Sequence, residues 1–594
     1  MAEEKRDSMA LKATGMTGKK RSLSDKKKPS KFSPKKKKKE GGKDMRLSKR
    51  NAAIEEIERV TLEAKKLSAQ VLQKTAKSDQ RKENVTELFL LLKGKVRNLA
   101  MKHDLCRTIQ CCFRFGTDDQ KQSILKELKD EIVTLCKGKY SCFMIVAFLR
   151  HGSTQHRLFV LKEIKGHMKR LGTHNCGAHV ADLALQTTSH DTKQLKSLRT
   201  SLWNEFYGQR FAIAVANAGL DLSNSKALKC YDDIDLKTKL AILTDLKQVV
   251  LKIADKGLLR YAYAQRLSYE FICKTEPLRS IESEDAQKFY SSSVSSLVPL
   301  ISEASLAMIS TSEGTKCICR TLALSGAKEK KKLIKKWKGH INNISIHEYG
   351  YLAIVTALNT TDDTVLLKKF IISELVKERS SEEVLACILD PTGIGRKLYL
   401  YLLVSQDKLP RYFSPTEIKV MTPVEGTSKK DPDMRRSELN KQMKDILESC
   451  CIENVEQIAS DKKGSDVLLH VLSRWWNEDV SKSIVKMVEN NMKELLEHPT
   501  AQVTIKRAVN IEKEHLEHVE NKSDYNMGSE IWKLMKPSVK AWLSINRASF
   551  VINSLLEHPE TASDVRSSLL KHDNVMKKHE GLASIKVIRK NLKA

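Results

Sequence analysis

The feature of this sequence that most limits its fold is a step of 36 residues that recurs along the chain. The stretches HDLCRTIQCCFRFG and KYSCFMIVAFLRHG put Cys106 and Cys142 at equivalent positions, and THNCGAHVADLAL puts Ala178 one further step away. A unit of this size cannot bury its apolar face alone, whereas stacked units can, so the pattern predicts an α-solenoid. Two later pairs show the same step: Thr315 with Tyr351, and Ser465 with Ala501.

The residues between the repeats also indicate an all-α protein. The 594 residues contain only 12 prolines and 24 glycines, and from about residue 85 helix-like segments follow one another without strand-like alternation. Longer spacings mark insertions, one of them before Ala262. Another is 405–436, where four prolines and many charges predict an exposed loop.

The charge of the chain points to a polyanionic partner. The net charge is +32, and residues 1–50 hold 19 Lys or Arg against 6 Asp or Glu, a surplus of 13. The other 544 residues therefore keep +19, so the folded part is basic in its own right.

The first 84 residues differ from the repeats. Residues 1–50 are Lys-rich and too poor in apolar side chains to offset their ordering entropy, so we expect a disordered tail. The two basic clusters within 19–39 are typical of a nuclear or nucleolar targeting signal, and the alternative is a solvated charge run. Residues 51–84 have helical periodicity and are interpreted as a linker, with a partner-binding helix as the alternative.

Several classes of protein are disfavoured. The thirteen cysteines are odd in number, scattered and without a C-x-x-C pair, which argues against a disulfide framework or a zinc site and favours a reducing compartment. No secretory signal, run of about 18 apolar residues or phosphate-binding, metalloprotease or nucleophile-elbow motif is present. We therefore expect no membrane span, no metal or other cofactor and no enzymatic activity.

The repeat length and the pattern C-R-x-x-Q at Cys106, Arg107 and Gln110 resemble the Pumilio, or PUF, family. EGTKCICRTLALSG, GIGRKLYLYLL and WLSINRASFVINSLL support the likeness, which covers roughly residues 85–594 and is nearest to the divergent, Penguin-like PUF-A branch. We count about eleven repeats and assign 85–210 to the N-terminal and 211–594 to the C-terminal ones. The resemblance implies an L-shaped solenoid of three-helix repeats, nucleolar residence, binding to structured RNA such as pre-rRNA or to DNA, and a role with other assembly proteins in large ribosomal subunit formation. We expect a monomer.

PUF repeats read one base each with two or three side chains. The first and fifth positions of the motif would reach a base edge, as for Cys106 and Gln110, and the second would stack, as for Arg107. Most fifth positions here are aliphatic and cannot hydrogen-bond a base edge, so we expect phosphate contacts to dominate. The remaining candidate residues are Phe143, His179, Tyr263, Arg266, Lys316, Arg320, Arg396, Lys397, Lys506 and Arg507.

Core packing is the alternative for Phe143 and Tyr263, and Arg396 and Lys397 are expected to be surface cations. The predicted function is a non-enzymatic, largely sequence-nonspecific RNA- or DNA-binding scaffold. One alternative is an adaptor of the HEAT or armadillo type that binds acidic proteins. A regulator of the translation of specific mRNAs is a second alternative, which the aliphatic fifth positions disfavour.

Overall fold

The computed structural model describes residues 41–73, 75, 77–187, 193–377, 379–422, 428–518 and 525–593. Most of the predicted disordered tail, residues 1–40, lies outside the described residues. The chain divides into two compact units, Met1–Glu63 and Ala64–Ala594. The second unit shows no division near residue 210, and it already includes the helix Ser78–Leu92, which the sequence analysis split between linker and repeats.

The described segments consist of helices, turns and bends without a β-strand, as the sequence predicted. The N-terminal helices are α1 Gly41–Leu72, α2 Ser78–Leu92, α3 Val96–Leu99, α4 His103–Phe115, α5 Asp118–Glu127, α6 Ile132–Leu135, α7 Ser141–His151, α8 Thr154–Ile164, α9 Met168–Gly172, α10 Gly177–Thr187, α11 Lys193–Asn204, α12 Gly208–Asn217, α13 Cys230–Asp233, α14 Leu236–Asp255 and α15 Ala262–Thr275.

The central helices are α16 Glu284–Met308, α17 Ser312–Leu324, α18 Ala327–Lys336, α19 Ile341–Ser345, α20 Tyr351–Thr360, α21 Thr364–Leu367, α22 Ser373–Lys377, α23 Ser381–Ile388, α24 Ile394–Leu403, α25 Pro415–Met421 and α26 Pro432–Asn440. The C-terminal helices are α27 Lys444–Glu453, α28 Val455–Ser460, α29 Gly464–Trp475, α30 Glu478–Asn490, α31 Met492–Glu497, α32 Pro499–His518, α33 Met527–Met535, α34 Val539–Ser544, α35 Asn546–Leu556, α36 Ala562–Lys571, α37 Asp573–Lys578 and α38 Ala583–Lys593. Short 3₁₀ turns and one π-helix, Lys368–Ile372, connect some of them.

Eleven of these helices form one continuous row, because each packs against the next. We call them the row helices, and in order they are α4, α7, α10, α15, α17, α20, α24, α29, α32, α35 and α38. Most row helices are preceded by a longer outer helix and a short helix of four to six residues, as in α8, α9 and α10. This arrangement confirms an α-solenoid of about eleven three-helix repeats.

A glutamate carboxylate, buried or half-buried, joins successive repeats at several places. In the turn before a short helix, Gly94, Gly166 and Gly339 all have positive φ, which glycine adopts without strain. Backbone N–H groups of that turn and of the start of the short helix donate to a glutamate of the next repeat. The pairs are Glu127 with Gly94 and Val96, Glu205 with Gly166 and Met168, and Glu374 with Gly339 and Ile341.

The prediction of an exposed loop at 405–436 is wrong for its described part. This segment contains the 3₁₀ turn Gln406–Arg411, α25 and the start of α26. Its charges are not all at the surface either, since Arg435 and Arg436 are buried and Arg436 donates to the carbonyl of Val404 at 2.9 Å. Segment length and proline content gave the wrong prediction, because the three prolines of the described part, Pro410, Pro415 and Pro432, lie in the 3₁₀ turn or at helix starts.

In the part of the chain that the structure describes, no helix combines the length and the apolar character needed to cross a bilayer.

Candidate nucleic-acid interface

The first position of the repeat motif faces inward. The Cys106 thiol donates to the carbonyl of Ala100 at 2.6 Å, and the Thr315 hydroxyl donates to Ile309 at 3.0 Å, six residues earlier in each case. Cys106 is only 2% exposed, and burial raises the pKa of its thiol to about 11. The prediction that Cys106 contacts a base edge is therefore wrong, because this side chain ties the row helix to the preceding turn.

Arg396 occupies the same first position, and the prediction made for it from the sequence is also wrong. It is 4% exposed, and its guanidinium donates to the carbonyls of Ile388 at 2.7 Å and Asp390 at 3.1 Å. Burial lowers the pKa of this guanidinium, and the nearby Asp461 partly offsets the effect. Arg396 was expected at the surface, but its long side chain folds back to satisfy carbonyls of the preceding turn.

The hydrogen bond that the first-position side chain makes to the preceding turn also shows that the predicted register of the fourth repeat is wrong. Gln265 donates to the carbonyl of Leu259 at 2.8 Å, again six residues earlier, so Gln265 and not Ala262 is the counterpart of Cys106. Arg266 thus takes the outward second position. Tyr263, expected to stack on a base, is buried.

Tyr263 instead joins two repeats from within. Its hydroxyl donates to the carbonyl of Gly172 at 2.6 Å, and its backbone N–H donates to the carboxylate of Asp182 at 3.0 Å. Burial raises the pKa of Asp182 against the opposing effect of that hydrogen bond. Asp182, at a fifth position, is thus engaged in holding the start of α15.

The second position faces outward in the first four repeats, and at two of these positions, Phe143 and His179, it carries a ring that lies near other exposed or half-buried rings. Phe143 lies 5.7 Å from His179, and His179 stacks on Tyr261 with 6.1 Å between ring centroids and 18° between planes. The rings of His103 and Tyr140 meet edge to face at 4.0 Å. Tyr140 and Phe143 are 43% and 48% exposed. We call these five residues the aromatic strip.

Cations surround the aromatic strip. Arg107 is exposed on α4, and no carboxylate of the described residues pairs with it. The Arg260 guanidinium lies 5.0 Å from the Tyr261 ring centroid, and the Lys139 ammonium lies 5.3 Å from that of Tyr140. Exposed rings interleaved with cations are the arrangement that binds single-stranded nucleic acid by stacking and by phosphate contacts.

Further along the row, most of the predicted cations already have intramolecular partners. Ion pairs of this kind reduce the charge offered to a ligand. Three such pairs are Arg266 with Glu270 at 3.1 Å, Arg320 with Glu276 at 3.2 Å, and Arg507 with Asp466 at 2.8 Å.

Lys397 also has intramolecular partners. Its ammonium donates to Glu417 and, at 3.2 Å, to the hydroxyl of Tyr351. Burial alone would raise the pKa of Glu417, but hydrogen bonds from Lys397 and Tyr351 outweigh burial and hold that pKa below its usual value. Lys397 therefore faces the row surface as part of a local network rather than as a free cation.

The remaining candidate residues lie partly exposed. Gln110 and Lys316 are half-buried, and the structure gives Lys316 no ion pair among the residues it describes. The Lys506 ammonium lies 4.8 Å from the ring centroid of Phe550. The aliphatic fifth positions Val146 and Leu400 are buried, so they present no polar group to a base.

Sequence reasoning missed Tyr140, Tyr261, Arg260 and His103. Three of them sit at or just before the start of a row helix, outside the five-residue motif that was inspected. A signal was present, since KYSC and RYAY both place a cation and a tyrosine immediately before the helix.

Comparison with known proteins supports this reading of the fold. The Pumilio-family RNA-binding repeat matches residues 106–129 and 131–165, and the CPL (NUC119) domain matches residues 393–521. Pumilio homolog 3 of Homo sapiens is 24% identical over 525 residues, covering 86% of this chain and 76% of the relative. Pumilio homology domain family member 6 of Schizosaccharomyces pombe is 26% identical, covering 90% of this chain and 80% of the relative.

Solved structures show the same fold. The crystal structure of human Puf-A matches with a TM-score of 0.72 at 22% identity, covering 90% of this chain and 99% of that one. Human Puf-A in complex with DNA matches with the same TM-score at 23% identity and the same coverage. The repeat matches, the relatives and this fold confirm the resemblance seen in the sequence: the chain is similar to Pumilio repeat proteins, and in particular to their divergent PUF-A-like branch.

Proposed function

We propose that this protein is a non-enzymatic scaffold that binds RNA or DNA largely without regard to sequence. The observation on which the proposal depends is the aromatic strip with its flanking cations on the first four row helices. The matching family model is described as an RNA-binding repeat, and human Puf-A has been solved with DNA, which supports a nucleic-acid ligand.

The geometry supports stacking and charge as the means of binding. Bases would stack on Phe143 and on the His179–Tyr261 pair, while Arg107 and Arg260 contact phosphates. The side chains at the first position point inward, and those at the fifth position are aliphatic or already hydrogen-bonded within the protein. Few groups are therefore left to hydrogen-bond a base edge. Binding should therefore depend on salt more than on sequence.

We further propose that the ligand in the cell is structured RNA such as pre-rRNA, bound in the nucleolus during large ribosomal subunit assembly. Support comes from the two basic clusters within 19–39 and from the family resemblance. A fluorescent fusion of the whole chain should concentrate in nucleoli and lose that pattern without residues 1–50. An unchanged cytoplasmic signal for both would contradict this proposal.

The binding proposal is tested with the double variant Arg107→Ala, Phe143→Ala. Loss of one stacking ring and one phosphate contact should weaken binding about 10- to 100-fold. Because neither group reads a base edge, the loss should be similar for single-stranded RNAs of at least three unrelated sequences, measured by fluorescence anisotropy. The matched control is Arg279→Ala with Ile213→Ala, two exposed residues outside the aromatic strip.

A loss of affinity confined to one RNA sequence would instead indicate that the protein reads bases. It would then favour the alternative of a regulator of specific mRNAs. Unchanged binding of every RNA would remove the aromatic strip as the site. Association with acidic proteins that resists RNase, combined with no measurable affinity for RNA or DNA, would favour the adaptor alternative.

A further inference from the structure

The exposed lysines of α18 form a stripe along one side of this outer helix. Residues three, four and seven positions apart share a helix face, and Leu333 and Ile334 on the other side are buried. The helix therefore presents a line of charge away from the core of the repeat. The exposed lysines of the stripe are Lys328, Lys331, Lys332 and Lys335.

This stripe continues onto the neighbouring repeat. The ammonium groups of Lys335 and Lys369 both lie 5.8 Å from the ring centroid of Phe370, so α18 and the π-helix Lys368–Ile372 contribute to one surface. Beside them an open groove of about 780 Å³ runs between the π-helix and the residues before α27. Its lining is Val365, Lys368, Lys369, Ser373, Val376, Lys377, Lys441, Gln442 and Asp445.

The charge of this surface is largely unneutralised, in contrast to most of the predicted cations of the row. We define the outer lysine surface as the exposed Lys328, Lys331, Lys332, Lys335, Lys369, Lys377 and Lys441. Among the residues that the structure describes, none of the seven forms an ion pair. Their neighbour Lys336 does pair, with Glu303, and the groove lining includes the carboxylate of Asp445.

The chemistry of the groove distinguishes between two polyanions. Val365 is 73% exposed and Val376 lies beside it in the lining, while the ring of Phe370 is half-buried between two ammonium groups. Stacking of bases needs exposed rings, such as those of the aromatic strip. Aliphatic side chains flanked by lysines suit a ligand with both carboxylates and apolar side chains.

We propose that the outer lysine surface docks an acidic segment of a partner protein, in which aspartates and glutamates alternate with aliphatic residues. The carboxylates lie along the lysines, and an aliphatic side chain enters the groove at Val365 and Val376. This surface lies on outer helices, so the protein would hold nucleic acid on the row helices and an acidic protein elsewhere at the same time.

The test uses the full chain and a fluorescein-labelled 20-residue peptide of Glu and Asp with Leu at every fourth position. The variant Lys331→Glu, Lys332→Glu, Lys335→Glu should weaken peptide binding at least tenfold. The matched control Lys486→Glu, Lys493→Glu, Lys540→Glu makes the same charge change at three exposed lysines elsewhere and should change binding less than twofold. Circular dichroism and urea unfolding check that both variants fold, and a milder Lys→Gln set at 331, 332 and 335 should show the same trend.

A second pair of measurements addresses the groove. Replacing Leu by Ser in the peptide should weaken its binding to the unchanged protein about fivefold or more, and Val365→Ser should abolish that preference. The row variant Arg107→Ala, Phe143→Ala should keep full peptide affinity, so this proposal and the nucleic-acid proposal can fail separately.

Three results would overturn the proposal. An equal loss of peptide affinity in the outer-surface variant and in the control variant would mean that binding depends only on the net charge of the protein. Equal affinity for the Leu and Ser peptides would mean that the groove is not used. Weak peptide binding together with RNA binding that falls at least tenfold in the outer variant would assign the surface to nucleic acid instead.

Discussion

Neighbouring side chains on a row helix have opposite roles. Cys106 points to a backbone carbonyl and Arg107 to solvent, because successive residues are separated by about 100° around a helix. The same change of direction separates Arg396 from Lys397. Two adjacent arginine or lysine residues in the sequence thus say little about which one a ligand can reach.

At Arg396 this distinction gives a prediction about stability rather than binding. Arg396→Met keeps most of the side-chain volume but leaves the buried carbonyl of Ile388 without its donor. We expect the free energy of unfolding to fall by about 2–4 kcal/mol in urea titrations, while the folded protein keeps its affinity for RNA.

The control for Arg396 is Arg279→Met, an exposed arginine whose replacement should change stability by less than about 0.5 kcal/mol. A stable Arg396→Met protein with tenfold weaker RNA binding would show that Arg396 contacts the ligand after all.

At the scale of elements, the junction between repeats depends on one buried carboxylate. Glu374 accepts hydrogen bonds of 2.8 Å from the backbone N–H groups of Gly339 and Ile341, and it is buried in the next repeat. A short helix leaves its first N–H groups unsatisfied, so such an acceptor completes the turn.

Glu374→Ala should therefore lower the free energy of unfolding by about 3 kcal/mol, because two backbone donors, of which that of Ile341 is buried, lose a charged acceptor. Urea unfolding followed by circular dichroism measures the effect. Glu382→Ala, at an exposed glutamate of α23, is the control and should stay within about 0.5 kcal/mol. Equal stability of the two variants would remove this carboxylate as a structural link.

At the scale of the whole molecule, charge is distributed between two parts of the chain. Residues 1–50 carry a surplus of 13 positive charges and the remaining 544 residues carry 19. Ion pairs such as Arg507 with Asp466 reduce the positive charge that the row helices present to a polyanion. A large share of the long-range attraction should therefore come from the N-terminal segment.

Deletion of residues 1–50 should thus weaken RNA binding most at low salt. The slope of log affinity against log salt concentration should become shallower, since fewer phosphates are neutralised. Preference among RNA sequences should not change. Anisotropy titrations at 50 and 200 mM salt test this, and an unchanged slope would show that the tail does not contact the RNA.

The row helices and their number follow from the 36-residue step and the low proline content, because both reflect local helix formation and the need of each unit for neighbours. The outward position of Arg107 was also predicted correctly, whereas for Phe143 the sequence left stacking and core packing open, and the structure places its ring at the surface. Tyr263 and Arg396 were predicted wrongly for different reasons. The register of the fourth repeat is three residues from the predicted one, and the first position, which Arg396 occupies, points inward in this fold.

The amino-acid sequence by itself determined that this protein is a helical repeat array with a basic character, because helix periodicity and charge are properties of short segments and of composition. The tertiary structure alone decided which cations remain available. Arg507 meets Asp466 and Lys397 meets Glu417 across distances of 20 or more residues, whereas the exposed α18 lysines of the outer lysine surface form no ion pair within the described chain. Ion pairing depends on which helices stack against each other, and that depends on the whole fold.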